Sequence, residues 1–173
     1  DIKLLKKQAQ EDPLTNFLNR AQFNVEVTEA ISTFERGTLF IIDLDGFKQV
    51  NDTFGHLMGD EVLKNTAKRI RLSFRKDDIL SRYGGDEFIV YTPKLIDRGI
   101  IEQRMQTLQG LLRHPHTVDG VFSAVTASIG IAIYPADGGD LTELFANADT
   151  ALYEAKHRGK DQYVFFDELT YSN

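Results

Sequence analysis

Residues 79–92 read Ile-Leu-Ser-Arg-Tyr-Gly-Gly-Asp-Glu-Phe-Ile-Val-Tyr-Thr. Two short β-prone runs, Ile79 to Tyr83 and Asp86 to Thr92, are separated only by Gly84-Gly85. A two-residue Gly-Gly loop between such runs signals a β-hairpin, because loop residues there adopt positive φ. Hairpin strands are antiparallel, so the sheet must be mixed, with helices packed on it. Upstream, Leu39-Phe40-Ile41-Ile42 is a continuous apolar run of the kind a buried central strand shows, and it ends abruptly in Asp43-Leu44-Asp45. Val125 to Ile133, rich in β-branched residues and bounded by Pro135, and Tyr163 to Phe166 complete five strand candidates.

Helical spacing fills the intervals. A short charged helix fits Ile2 to Gln10 and stops before Asp12-Pro13. Asn19 caps a helix over Arg20 to Glu35, with Phe23, Val27, Ile31 and Phe34 on one face. Further helices are predicted over Phe47 to Thr53, Asp60 to Phe74 and Asp97 to Arg113. The last, capped by Asp140, runs through Arg158 with Leu141, Leu144, Phe145, Ala148 and Leu152 as its buried stripe. Tyr153, with Phe145, is expected in the core. At 173 residues the chain makes one domain. We divide it into a helical linker end at 1–12, a domain at 13–167 and a tail at 168–173.

Composition narrows the function. Twenty basic against 26 acidic residues leave a net charge of −6, which argues against a protein that coats DNA or RNA. A phosphate-bearing ligand stays open, because clustered carboxylates bind phosphates through a metal. No cysteine is present, so disulfides, thiolate catalysis and Cys-ligated zinc are excluded. No apolar run reaches the roughly 18 residues of a membrane span. No direct membrane contact is expected, and a cytoplasmic location is. The chain opens on Asp1 rather than Met, so a domain of a longer sensor protein is expected.

Two constellations carry chemistry. Asp43 and Asp45 share a strand face if the pleat continues, although a strand meeting solvent would look the same. Asp86 and Glu87 flank a glycine turn that leaves backbone open to a ligand. Brought together, these strand ends make a hard-cation site of oxygen ligands, suited to magnesium and a phosphate-bearing substrate.

Arg82-Tyr83-Gly84-Gly85-Asp86-Glu87-Phe88 resembles the motif that names the GGDEF family, the diguanylate cyclases. The resemblance extends over Asp12-Pro13-Leu14-Thr15, Asp43-Leu44-Asp45-Gly46-Phe47-Lys48, Asn51-Asp52-Thr53-Phe54-Gly55-His56, Gly59-Asp60, Ala127-Ser128-Ile129-Gly130 and Ala148-Asp149 through Ala155-Lys156. It implies an α/β fold of α+β type, a mostly antiparallel five-stranded sheet surrounded by helices as in nucleotide cyclases and polymerase palms. It implies condensation of two GTP into cyclic di-GMP with release of two pyrophosphates, each copy of a homodimer holding one GTP. By the same resemblance Asp43, the Leu44 carbonyl, Asp86 and Glu87 bind Mg²⁺, with Mn²⁺ as a substitute. The base is Glu87 or Asp86. Asn51 and Asp60 read guanine, Lys48, Lys156 and Lys160 face the phosphates, and Gly84, Gly85 and His56 line the substrate site. Taken alone, Asn51 and Asp60 would be helix N-caps, His56 a hydrogen-bonded turn residue, and the lysines solvated.

Arg75-Lys76-Asp77-Asp78 places Arg-x-x-Asp with five residues between it and Gly84, where the family's product-inhibition site lies. An arginine fork and a carboxylate suit cyclic di-GMP, although a charged helix end is the plain alternative. Asn16-Phe17 stands where Gly-Leu is usual, and Gly159-Lys160-Asp161 where Gly-Arg-Asn is common, so a weaker grip on triphosphate is expected. The alternative function is a catalytically silent module that binds GTP or cyclic di-GMP. No nucleic-acid polymer is expected as a partner.

Overall fold

The structure, a computed structural model, describes residues 1–169. Strand β1 (Gly37–Asp45) is its axis. Six consecutive buried residues, 37 to 42, cover both of its faces, as the uninterrupted apolar run requires. It pairs antiparallel with β3 (Glu87–Pro93) on one side and β6 (Thr126–Tyr134) on the other. Strand β2 (Ile79–Gly84) extends the sheet beyond β3, and β7 (Tyr163–Phe165) runs parallel to β6. The order is β2-β3-β1-β6-β7, mixed and mostly antiparallel as expected.

Alternation along the strands splits the core in two. Leu39, Ile41, Ile89, Tyr91 and Ala132 pack under α2 (Arg20–Thr33) and α6 (Leu141–His157), against Phe23, Val27, Leu144, Ala148 and Leu152. Phe40, Ile42, Leu44, Phe88, Val90 and Ile131 face α4 (His56–Ser73) and α5 (Arg98–Leu112), against Val62, Ile70, Ile101 and Met105. The odd-numbered face of β1 ends in Asp43 and Asp45, so these acids emerge beneath α6. Gly130 lets α6 cross close by: a Cβ there would overlap the backbone of Ala148 and Leu152.

Several boundaries differ from expectation. The two-residue turn is Gly85-Asp86, because Gly84 still pairs with Glu87 across a register shift at Arg82/Gly84. Helix α4 begins at His56, not Asp60, directly after α3 (Phe47–Phe54). Gly55, at φ 88°, separates the two helices, so neither Asn51 nor Asp60 is an N-cap. Phe34 and Phe74 lie just past their helices as C-cap residues. Tyr153 is 72% exposed, and Phe145 instead stacks on Tyr83 with ring centroids 5.6 Å apart. The small hairpin β4 (His116–Val118) and β5 (Val121–Ser123) was not anticipated, although Asp119-Gly120, both at positive φ, is a hairpin turn pair. The expected N-terminal helix is α1 (Ile2–Gln10). Of the expected tail, Glu168 and Leu169 fall in α7 (Phe166–Leu169), and 170–173 lie outside the described residues.

The small hairpin is anchored by a histidine. His116, 1% exposed, lies 3.1 Å from the Asn65 amide and 3.2 Å from Arg69 Nη1. Arg69 also donates to the His114 carbonyl at 2.9 Å. A guanidinium can only donate, so His116 Nε2 accepts and the ring is neutral. Burial, reinforced by the Arg69 charge, lowers its pKa to about 4. A folded value below the unfolded one means stability is fully present above the ordinary histidine range and is lost as pH falls toward 4. The wild type is expected to lose about 3 kcal/mol through this group between pH 7 and pH 4. Urea unfolding at the two pH values should show a smaller difference for His116→Gln; an equal pH dependence in both proteins would refute the assignment.

Candidate active site

Register dictates the site. Asp43 stands directly opposite Glu87 across the β1–β3 ladder, and residues so placed share a face. The Gly85-Asp86 turn folds back over the end of β1, and the Leu44 N–H donates to the Asp86 carbonyl at 3.3 Å. The Asp86 carboxyl lies close enough to that of Asp43 for the two to interact directly. Burial, and then the Asp43 charge, raise Asp86 above the usual carboxylate range. Glu87 is raised by burial, then by Asp43, Asp149 and Asp86. Three carboxyls thus crowd one half-buried spot.

Helix α6 supplies the counter-charge. Lys156 Nζ donates to Asp43 Oδ2. Desolvation pulls this lysine down, but the Asp43 hydrogen bond and the charges of Asp43, Asp45 and Asp86 hold it above its ordinary value. Asp45 has a different task. It accepts from Thr126 Oγ1 and Ser128 Oγ, both at 2.7 Å, and from the Asp161 N–H at 3.1 Å, and so ties β1 to β6 and to the loop after α6.

Among the described residues no three His, Cys, Asp or Glu groups form a ready-made metal cage. Asp43 and Asp86 nonetheless fit a hard divalent cation: they are neighbouring oxygen donors, and burial with the Asp43 charge already raises Asp86, a penalty that a cation would relieve. Magnesium needs only one or two protein carboxylates when substrate phosphates complete its shell.

Around this centre the sequence candidates separate into groups. The Asn51 amide of α3 packs against Gly59 of α4, the residue before Asp60, where an added Cβ would overlap it. Asp60 is exposed one residue on, and His56 is exposed at the start of α4. Gly46, at φ 78°, delivers β1 into α3, whose first N–H groups have no side-chain cap; such a terminus suits an anion. Lys48 lies exposed in that first turn, and Lys160 is exposed in the loop after α6. Asn16, Lys160 and Asp161 all adopt positive φ, which explains why glycine or asparagine suits the first and last positions.

The glycine turn has its own brace. Arg82 Nε donates to the Gly85 carbonyl at 2.9 Å, while its Nη1 pairs with Asp12 at 3.0 Å. Asp12 in turn accepts from Thr15 N and Oγ1 at 2.9 and 2.8 Å. Asp12, Arg82 and Asp149 were not among the candidate site residues; the motifs contain them, but only the fold shows what they touch.

Arg75 and Asp78 lie apart, past the end of α4. The Arg75 N–H donates to Asp78 Oδ2 at 2.7 Å, and Arg104 of α5 approaches the same oxygen at 3.6 Å. A cavity of about 500 Å³ opens here, lined by both residues with Arg104, Lys94 and Phe34. Asp78 is raised by burial, against the pull of Arg75 and Arg104. Arg104 was invisible in the sequence because it joins the pair from 26 residues downstream.

The family described as diguanylate cyclase, GGDEF domain, matches residues 9–162. The bifunctional diguanylate cyclase/cyclic di-GMP phosphodiesterase MucR of Pseudomonas aeruginosa is 36% identical over 171 residues, covering 95% of this chain and 24% of MucR. The chain thus spans about a quarter of that relative. The GGDEF domain of TpbB (YfiN) from P. aeruginosa superposes with a TM-score of 0.86 at 31% identity, over 92% of this chain and 98% of that one. The coiled coil and GGDEF domain of DgcB from Caulobacter crescentus, solved in complex with c-di-GMP, gives 0.86 at 26% identity, over 95% and 89%. With its acidic turn, sheet order and motif positions all in agreement, the chain belongs to the GGDEF family of diguanylate cyclase domains.

Proposed function

We propose that this domain condenses two GTP into cyclic di-GMP, with Mg²⁺, as a homodimer in the cytoplasm. The observation that carries the reading is the gathering of Asp43, Asp86 and Glu87 on one face, beside Lys156 and the open first turn of α3. Among the described residues no helix is long and apolar enough to cross a membrane.

Asp43, Asp86 and the Leu44 carbonyl would hold the Mg²⁺, which supplies charge neutralisation at the triphosphate. Lys48, Lys156 and Lys160 add positive charge around the phosphates, and Lys160 does so as a point charge rather than a fork. Asp60 accepts from the N1 and N2 donors of guanine, which adenine lacks, and Asn51 binds the base beside it. Glu87 is the better base: Asp86 would be committed with Asp43 to the cation, and Glu87, raised like Asp86 by burial and neighbouring acids, is left to take a proton. It takes the proton of one ribose 3′-hydroxyl. That oxygen bonds to the α-phosphorus of the other GTP, the bond to the β-phosphate bridge breaks, and pyrophosphate leaves. The same step in the opposite sense closes the ring. Cyclic di-GMP then binds at Arg75, Asp78 and Arg104 and restrains the enzyme.

Incubation of the protein with GTP and Mg²⁺, followed by product chromatography, tests the whole reading. Absence of cyclic di-GMP even after enforced dimerisation would overturn it.

Three substitutions probe its parts. Asp86→Asn removes a carboxyl whose raised pKa marks it as repelled when charged, so stability gained by protonation is made permanent. In EDTA at pH 7 its Tm should rise by about 2–4 °C, the shift that about 1 kcal/mol produces. The gain should vanish at pH 3, and cyclase activity should be lost; an unchanged or lower Tm contradicts the crowding. Gly59→Ala displaces the Asn51 amide without touching backbone, so KM for GTP should rise about tenfold, equivalent to ~1.4 kcal/mol, at constant Tm. An unaltered KM would remove Asn51 from the base site. Arg75→Ala should keep the initial rate while weakening product inhibition at least about tenfold, as expected for a lost charged hydrogen bond. Equal inhibition constants in progress curves would dismiss the site.

A further inference from the structure

Lys64, Lys68 and Arg71 fall at i, i+4 and i+7 of α4, on one side of the helix, and all three are exposed. One exposed lysine is ordinary. Three cations on one stripe repel each other, and they stand out in a chain whose net charge is −6. Among the described residues none of the three forms an ion pair with an acid, Asp60 one turn before Lys64 included.

The stripe borders a cavity of about 280 Å³ whose other wall is the turn Thr15-Asn16-Phe17. Phe17 is buried, and the Arg71 guanidinium sits over its ring, 5.1 Å from the centroid, which fixes that charge at the cavity wall. Asn16, exposed and at φ 63°, adds a side-chain amide. The Thr15 hydroxyl is already committed to Asp12, and Asp12 is itself paired with Arg82, so the acid of this turn is neutralised. What remains around the cavity is a set of donors: two ammonium groups, a guanidinium and an amide.

We propose that this cavity binds a free, multiply phosphorylated small molecule. A wall of cations and donors suits anionic oxygens, and the guanidinium fork matches a phosphate. Lys64 to Arg71 spans about 10 Å along the helix axis, which favours two or more phosphates over one. Three cations fall short of the roughly four to eight that hold a protein on an anionic lipid surface. Neither Lys48, Lys156 nor Lys160 lines the cavity, so it stands apart from the acid cluster and from the proposed reaction. Asn16 and Phe17 depart from the Gly-Leu pattern noted above, which makes this wall of the cavity a property of this chain.

The test is calorimetric titration of the full chain with inorganic tripolyphosphate in EDTA, which keeps divalent cations from the acid cluster. The wild type should bind saturably. Lys64→Gln/Lys68→Gln is expected to weaken binding at least about tenfold, with Tm within about 2 °C of the wild type. Lys48→Ala/Lys160→Ala, which strips phosphate-facing charge from the acid cluster and leaves the Lys156–Asp43 pair in place, should bind like the wild type. Equal affinity of the Lys64→Gln/Lys68→Gln variant and the wild type overturns the site. So does a loss confined to Lys48→Ala/Lys160→Ala, which would place the polyphosphate at the acid cluster. A wild type that ignores tripolyphosphate overturns it too, even where it sediments with phosphatidylglycerol vesicles, since the stripe would then serve a lipid surface.

Discussion

Repulsion among three carboxyls at the end of the sheet organises this domain. Strands β1 and β3 are buried along most of their length and interchangeable with many core strands except at one end, the last residues of β1 and the first of β3. There the ladder sets Asp43 opposite Glu87, and the turn returns Asp86 to Asp43. The repulsion is tolerated because the rest of both strands is buried on two sides, which leaves the register no freedom to slip. Such stored electrostatic strain is what a site for a cation and a polyphosphate requires.

The surrounding structure reads as support for that crowding. Gly130 brings α6 down onto β6, and this close crossing carries Lys156 within reach of Asp43. Asp45, one pleat further on, is converted into a tie by Thr126, Ser128 and the Asp161 N–H. On the far side, Arg82 holds the Gly85 carbonyl and is itself held by Asp12, next to the end of α1. The turn that presents Asp86 is therefore braced from the segment that follows α1.

Much of this was legible from residues alone. Continuous apolar stretches such as Leu39 to Ile42 and the Gly84-Gly85 signal led to five strands and a mixed sheet, and the acids at their ends pointed to the site. What failed did so for identifiable reasons. The Asp119-Gly120 hairpin gives little sequence signal because its flanks are short and one strand, Val121–Ser123, is largely exposed. Helix α4 starts a turn early because Gly55 ends α3 and allows a new helix at once. Tyr153 reads as core in the sequence yet is exposed, because apolar spacing cannot tell which neighbouring stripe of a helix meets the sheet.

Residue patterning is sufficient for the five strands of the main sheet, the acidic turn and the family, since these depend on local periodicity and contiguous motifs. Tertiary structure decided which acids meet. Asp43 and Asp45 look equivalent on paper, yet one joins Asp86 and Glu87 and the other is tied down by Thr126 and Ser128. It also decided that Arg104 completes the Arg75–Asp78 pair and that Tyr153 faces outward. These are outcomes of register, helix crossing and packing, which bring distant residues together through contacts that no local pattern encodes.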